Sequence, residues 1–213
     1  YRRLRARGTN RLASLISAIG TSFFLSESVR ILTGSRSKSA PRLLEKWSFG
    51  EFQGANFRID TVMSIVAAIV IFIILNQFVS KSHLGKAIRA VSMSEENSKL
   101  MGINLNRVIT ATFAIGVLTT GAAAFFFMVT YENTVFNVGF QLGIAAFTAA
   151  VLGGIGNLQG AFYGGLSLGL LEQFSSAILG SQWKSVTVFL VLVLVLLIRP
   201  SGIFGEAVQQ TRT

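Results

Sequence analysis

Apolar residues in this chain gather into long runs separated by short polar stretches. Six runs stand against the roughly 20 residues a helix needs to cross a bilayer: 12–32, 61–79, 108–130, 139–155, 161–179 and 186–198. The first is weakly apolar and interrupted by Gly20 and several serines. The second, centred on IVAAIVIFIIL, is the clearest, with Asn76 and Gln77 near its end. The third closes on Phe125-Phe126-Phe127. The fourth and fifth are short, rich in small residues and parted by GNLQG, so they fit either full crossings or broken, re-entrant helices. The last stops at Arg199-Pro200, where proline has no N–H to give a helix and arginine can reach the headgroups. Its FLVLVLVLLI would suit a buried strand in water, but in lipid an open strand leaves its backbone groups unpaired, so a helix is expected. The predicted fold is all-α, a polytopic helical membrane protein of about six membrane segments, some short or broken. It forms a single transmembrane domain over 1–213, with no internal repeat and no linker to a second domain.

Composition agrees. The chain is 51% hydrophobic and 13% charged, with a mean hydropathy of +0.60, which a soluble domain of 213 residues would not show. The net charge of +10 does not describe a nucleic-acid-binding face, because the basic residues lie in the ends and loops. From Val108 to Trp183 there is no Lys or Arg, and only Glu132 and Glu172 are acidic. Segments 1–11, 33–60 and 81–107 each hold five basic residues, but 33–60 also carries Glu45, Glu51 and Asp60. Two runs separate 1–11 from 81–107, so these share a side, and the mixed-charge 33–60 is assigned to the outside. Four further crossings return the C-terminus to the cytoplasm. Without cysteine there is no disulfide, thiolate metal site or cysteine nucleophile, and His83 reads as a solvated loop residue. The start at Tyr1, in YRRLRARGTNR, reads as a cytoplasmic loop following further spans, not as a signal peptide.

Within 81–107, Ser94 is a good N-cap, with Glu95 and Glu96 in the first turn where the helix dipole favours negative charge. Gly102 stands where a left-handed C-terminal cap would end the helix, with Ile103 beyond it to pack back. A two-turn helix held outside the bilayer offers a surface for a partner to grip. An ordinary solvated loop is the competing reading. Glu96, Asn97, Ser98, three residues and Gly102 resemble the E-A-A-x-x-x-G coupling loop of ABC importer permeases, with Asn97 and Ser98 in place of two alanines.

Four blocks then occur in order: RLASLISAIGTSFFL, GKAIRAVSMSEENSKLMGINLNRV, FTAAVLGGIGNLQGAFYGGLSLGLLEQFSSA and VLVLLIRPSGIFG. Together they resemble the LivH-type permeases of branched-chain and neutral amino acid ABC importers, over essentially the whole chain. The resemblance implies a permease subunit in a bacterial plasma (inner) membrane, multi-pass, with cytoplasmic ATPase subunits, a second related permease subunit, an extracytoplasmic substrate-binding protein and membrane lipid as partners. It implies ATPase coupling through 81–107, at Ser94, Glu95, Glu96, Gly102, Lys86 and Arg89. The sequence has no phosphate-binding loop, since Gly85-Lys86 is followed by alanine, so it is expected not to be an enzyme and to hold no cofactor, with ATP bound by the partners. A permease for urea or short amides is an alternative. A self-sufficient ion-driven transporter is another, but its inverted repeats and matched intramembrane charges are not seen.

The glycines between the fourth and fifth runs have two readings. They can let transmembrane helices approach closely, or they can permit broken helices that line a translocation path at Gly153, Gly154, Gly156, Gly160 and Gly164. Glu172 is the one ionisable residue of 161–179, where a carboxylate must face an interior or a wet cavity. It serves either as a structural hydrogen-bonding group or as a contact for a substrate ammonium or a gating network.

Overall fold

A computed structural model describes residues 11–39, 48–52, 55–199 and 201–205. The expectations placed on Tyr1 and on Pro200 lie outside these residues. Helix α1 (Arg11–Thr33) leads into β1 (Lys38–Ser39) and a hairpin of β2 (Ser48–Phe52) and β3 (Ala55–Arg58). Then come α2 (Ile59–Lys81), α3 (His83–Met93), α4 (Glu95–Leu100), α5 (Leu105–Tyr131), β4 (Asn133–Thr134), α6 (Val138–Gly153), α7 (Leu158–Leu179), a 3-10 turn (Ser181–Trp183) and α8 (Lys184–Ile198).

Each of the six apolar runs is a helix, starting or ending a few residues away from the sequence-based edges. Caps set the true ends. Asn104 accepts a hydrogen bond from the Arg107 amide at 3.2 Å, so α5 starts at Leu105, before the apolar run. At the far end Glu132 takes a left-handed conformation, φ 57°, and stops the helix. Among the described residues three stretches are long and apolar enough to cross a membrane: α2, α5 and 181–198. Helices α6 and α7 form a bent pair, with a direction change of 119° across a short break. Helix α1, at 23 residues, has the length of a span.

Helices α6, α7 and α8 pack around Ala149, Leu168 and Val188, with Ile144, Ala145 and Val191 against them. Thr148 is fully buried nearby, its hydroxyl donating to the Ile144 carbonyl at 2.8 Å within the helix. Side chains join the remaining helices. The Ser64 and Thr130 hydroxyls meet at 3.0 Å between α2 and α5, and Phe72 stacks on Phe162 at 4.1 Å between α2 and α7. Beside these contacts an open, mostly apolar cavity of about 570 Å³ lies between α2, α5 and α7.

The two-residue strands β1 and β4 pair antiparallel, Lys38 opposite Thr134 and Ser39 opposite Asn133. This fixes sidedness within the molecule. The connection after α1 and the connection after α5 meet at one end, whereas α2 and α5 meet at the other end through 82–104. Lys38–Ser39 and the start of α2 are therefore at the opposite end from 82–104, the relation the charge pattern assigns to these two connections.

Candidate functional site

The connection between α2 and α5 is more ordered than a solvated loop. Ser82 ends α2 and begins α3, and its hydroxyl accepts from the Gly85 amide at 2.9 Å. Gly85 is buried where α3 turns against the end of α2, so close that an added Cβ would fall on the Phe78 and Val79 carbonyls. Arg89 donates to the Ser80 carbonyl at 2.9 Å, placing a cation at the C-terminus of α2 where the helix dipole is negative. Leu84, Ala87, Ile88 and Val91 are half-buried, while His83, Lys86, Arg89 and Ser92 face out. Helix α3 was not anticipated from the sequence, although its capping serine and three-to-four residue apolar spacing were there to be read.

Ser94 performs the expected capping. Its hydroxyl accepts from the Asn97 amide at 3.2 Å, and Glu95 and Glu96 occupy the exposed first turn. The far end closes with two bonds: the Gly102 amide donates to the Lys99 carbonyl at 3.0 Å, and the Ile103 amide to the Ser98 carbonyl at 3.0 Å. That pairing needs a left-handed residue between them, and Gly102 has φ +79°. Ser98, one of the two residues standing in for alanine, is 3% exposed and bonds back to the Ser94 carbonyl at 2.8 Å, so its hydroxyl leaves no unmet polar group. Around this short helix Met93, Leu100 and Met101 are 89%, 86% and 82% exposed.

The second candidate region is the α6–α7 elbow. Gly153, Gly160 and Gly164 are points of close approach: a Cβ on Gly153 or Gly160 would enter the other's carbonyl, and one on Gly164 would enter the Ala149 carbonyl. Gly154, at φ +102°, lies against the backbone of Gly205. Gly156, at φ +96°, has open space around it. The Asn157 side chain caps α7 by accepting from the Gly160 amide at 3.0 Å. Glu172 is half-buried four turns along α7. Close by in α7, the Ser175 and Thr187 hydroxyls join α7 to α8 at 2.5 Å. No spacing in the sequence linked Ser175 to Thr187. Among the described residues no group of three His, Cys, Asp or Glu could hold a metal ion.

Comparison with known proteins bears on both regions. Residues 8–197 match the family model described as branched-chain amino acid transport system / permease component. The chain is 44% identical to the high-affinity branched-chain amino acid transport system permease protein BraD of Pseudomonas aeruginosa, over 97% of this chain and 67% of that one. It is 40% identical to LivH, the permease protein of the same name from Escherichia coli K12, over 94% of this chain and 66% of that one. The fructose import permease protein FrcC of Rhizobium meliloti matches at 23% identity over 68% of this chain and 43% of that one. The chain thus spans about two thirds of the length of BraD and LivH. No solved structure gives a significant match.

Proposed function

Since the chain belongs to the family of branched-chain amino acid transport permease components, we propose that it is the permease subunit of an ATP-driven importer moving branched-chain or other neutral amino acids. One observation carries the coupling part of this reading: the helix Glu95–Leu100, closed at both ends and surrounded by exposed Met93, Leu100 and Met101. Each large apolar side chain contributes about 1.5–3 kcal/mol when fully covered, so three of them on a polar connection favour a partner's groove over water. The proposed occupant is a cytoplasmic ATPase subunit, with Lys86 and the first-turn Glu95 and Glu96 at the rim. The tight Ser82–Gly85 corner passes a displacement of this connection to α2, and the Asn104-capped start of α5 passes it to that helix.

The rest of the assembly follows the same reading. A second, related permease subunit completes the path, an extracytoplasmic binding protein delivers the solute, and the C-terminus lies on the cytoplasmic side of the inner membrane. The path runs beside the α6–α7 elbow, where Gly153, Gly154, Gly156, Gly160 and Gly164 shape the backbone and Glu172 faces the interior. A neutral amino acid is a zwitterion, and helix ends at a break offer dipoles to both of its charges.

Coupling is tested in the assembled transporter reconstituted with its ATPases and binding protein. Gly102→Val forces a β-branched residue to φ +79°, which costs about 1–3 kcal/mol. ATP hydrolysis should persist while leucine uptake per ATP falls severalfold. Unchanged stoichiometry, or ATPase subunits seated away from this helix in the assembled complex, would refute the coupling role. Competition among leucine, urea and fructose in the same assay assigns the substrate class.

A further inference from the structure

Helix α6 ends in an unusual way. Its last carbonyls have no partner within the helix, as at any helix C-terminus, and at Leu152 and Gly153 the partners come from 51 residues further on. The Ile203 amide donates to the Leu152 carbonyl at 2.8 Å and the Phe204 amide to the Gly153 carbonyl at 3.2 Å. The Asn157 side-chain amide donates to the Phe204 carbonyl at 3.1 Å, and the Tyr163 and Phe204 rings lie 6.0 Å apart. Glycines make this approach available. Gly202, at φ +82°, leaves no room for a Cβ against the Gly154 backbone and the Val151 carbonyl, and Gly154 in turn abuts Gly205.

Helix α6 has 16 residues and so rises roughly 24 Å, short of the roughly 30 Å hydrocarbon layer. Shielded carbonyls that end a helix at that depth, such as that of Leu152, must find partners within the protein, because unsatisfied ones are costly there. We propose that residues Gly202–Gly205 form a strap that closes the α6–α7 elbow, with Asn157 as the residue that fastens it. The strap joins the end of α8 to the elbow, so that α6, α7 and α8 turn as one body during transport. This last clause rests on the transport reading above; the strap itself does not.

Asn157 allows the strap to be separated from the cap. Its side-chain oxygen caps α7 and its side-chain NH₂ holds Phe204. Asn157→Asp keeps the cap and loses the strap bond; Asn157→Ala loses both. The chain has no cysteine, so Leu152→Cys, at a site 6% exposed, and Ile155→Cys, at a site 73% exposed, report the elbow without background. In the assembled complex, Asn157→Asp should speed labelling of Leu152→Cys by a water-soluble maleimide roughly two- to tenfold, as expected for one lost hydrogen bond, and leave Ile155→Cys unchanged. Gly202→Ala should bring Leu152→Cys towards the rate of Ile155→Cys. Leu152→Cys labelling as slow in Asn157→Asp as in its parent, with Asn157→Ala alone accelerated, would mean that only the cap matters and would overturn the strap. Loss of leucine-dependent uptake in the unsubstituted complex would instead overturn the transport reading and leave the labelling result standing.

Discussion

Glu172 shows what a lone charge among apolar residues obliges its surroundings to do. A carboxylate at membrane depth needs a partner or water; here Glu172 is half-buried, and close by in α7 the Ser175–Thr187 hydroxyl pair holds α7 to α8. The sequence marked Glu172 as the residue to explain, because ionisable groups are rare in such a run. It did not mark the Ser175–Thr187 contact, since only the turn at Ser181–Trp183 brings the start of α8 back beside α7. If Glu172 belongs to the moving path, Glu172→Gln should lower the maximal uptake rate roughly tenfold, equivalent to ~1.4 kcal/mol, with the amount of assembled complex unchanged. A drop in complex recovered after purification, with normal uptake per complex, would assign it a structural role instead.

At the scale of elements, the apolar runs located every long helix, while the ends and the short helices depended on hydrogen bonds that hydropathy does not record. Helix α3 is the clearest example: its charged face lowers its average hydropathy to that of a loop, although its apolar face packs against its neighbours. The small-residue stretch of α6 and α7 carried two readings that its composition could not separate, and the structure shows that its glycines are unequal. Gly164 sits in the α6–α7 contact, whereas Gly169, little more than a turn later in α7, has nothing within 4 Å of an added Cβ. The same Gly→Ala change should therefore have opposite signs at the two sites. Gly164→Ala drives the helices apart and should cost about 1–3 kcal/mol. Gly169→Ala should gain up to ~1 kcal/mol from helix propensity. Thermal or denaturant unfolding of the purified complex measures both, and equal shifts would show that contact with α6 is not what distinguishes them.

For the molecule as a whole, loop charge gave the sidedness that the β1–β4 pairing also requires, because both follow from which helix ends can meet. What the sequence withheld were contacts between distant segments: Asn157 with Phe204, 47 residues apart, and Ser39 with Asn133, 94 residues apart at 2.9 Å. No local periodicity encodes them. Sidedness has a direct check. In intact cells a membrane-impermeant thiol reagent should label Arg36→Cys and Val135→Cys and spare Lys99→Cys until the membrane is opened; Arg36→Cys and Lys99→Cys labelled from the same face would contradict the arrangement. The β1–β4 pair also sets a schedule. At a synthesis rate of roughly 5–20 residues per second, Asn133 leaves the ribosome about 5–20 s after Ser39. For that interval β1 has no strand partner, and α2 and α5 must already be in place before the two short strands can meet. The two short strands thus meet after α1, α2 and α5 are made and before α6, α7 and α8 emerge, a fastening added part-way through assembly and not a guide to its start.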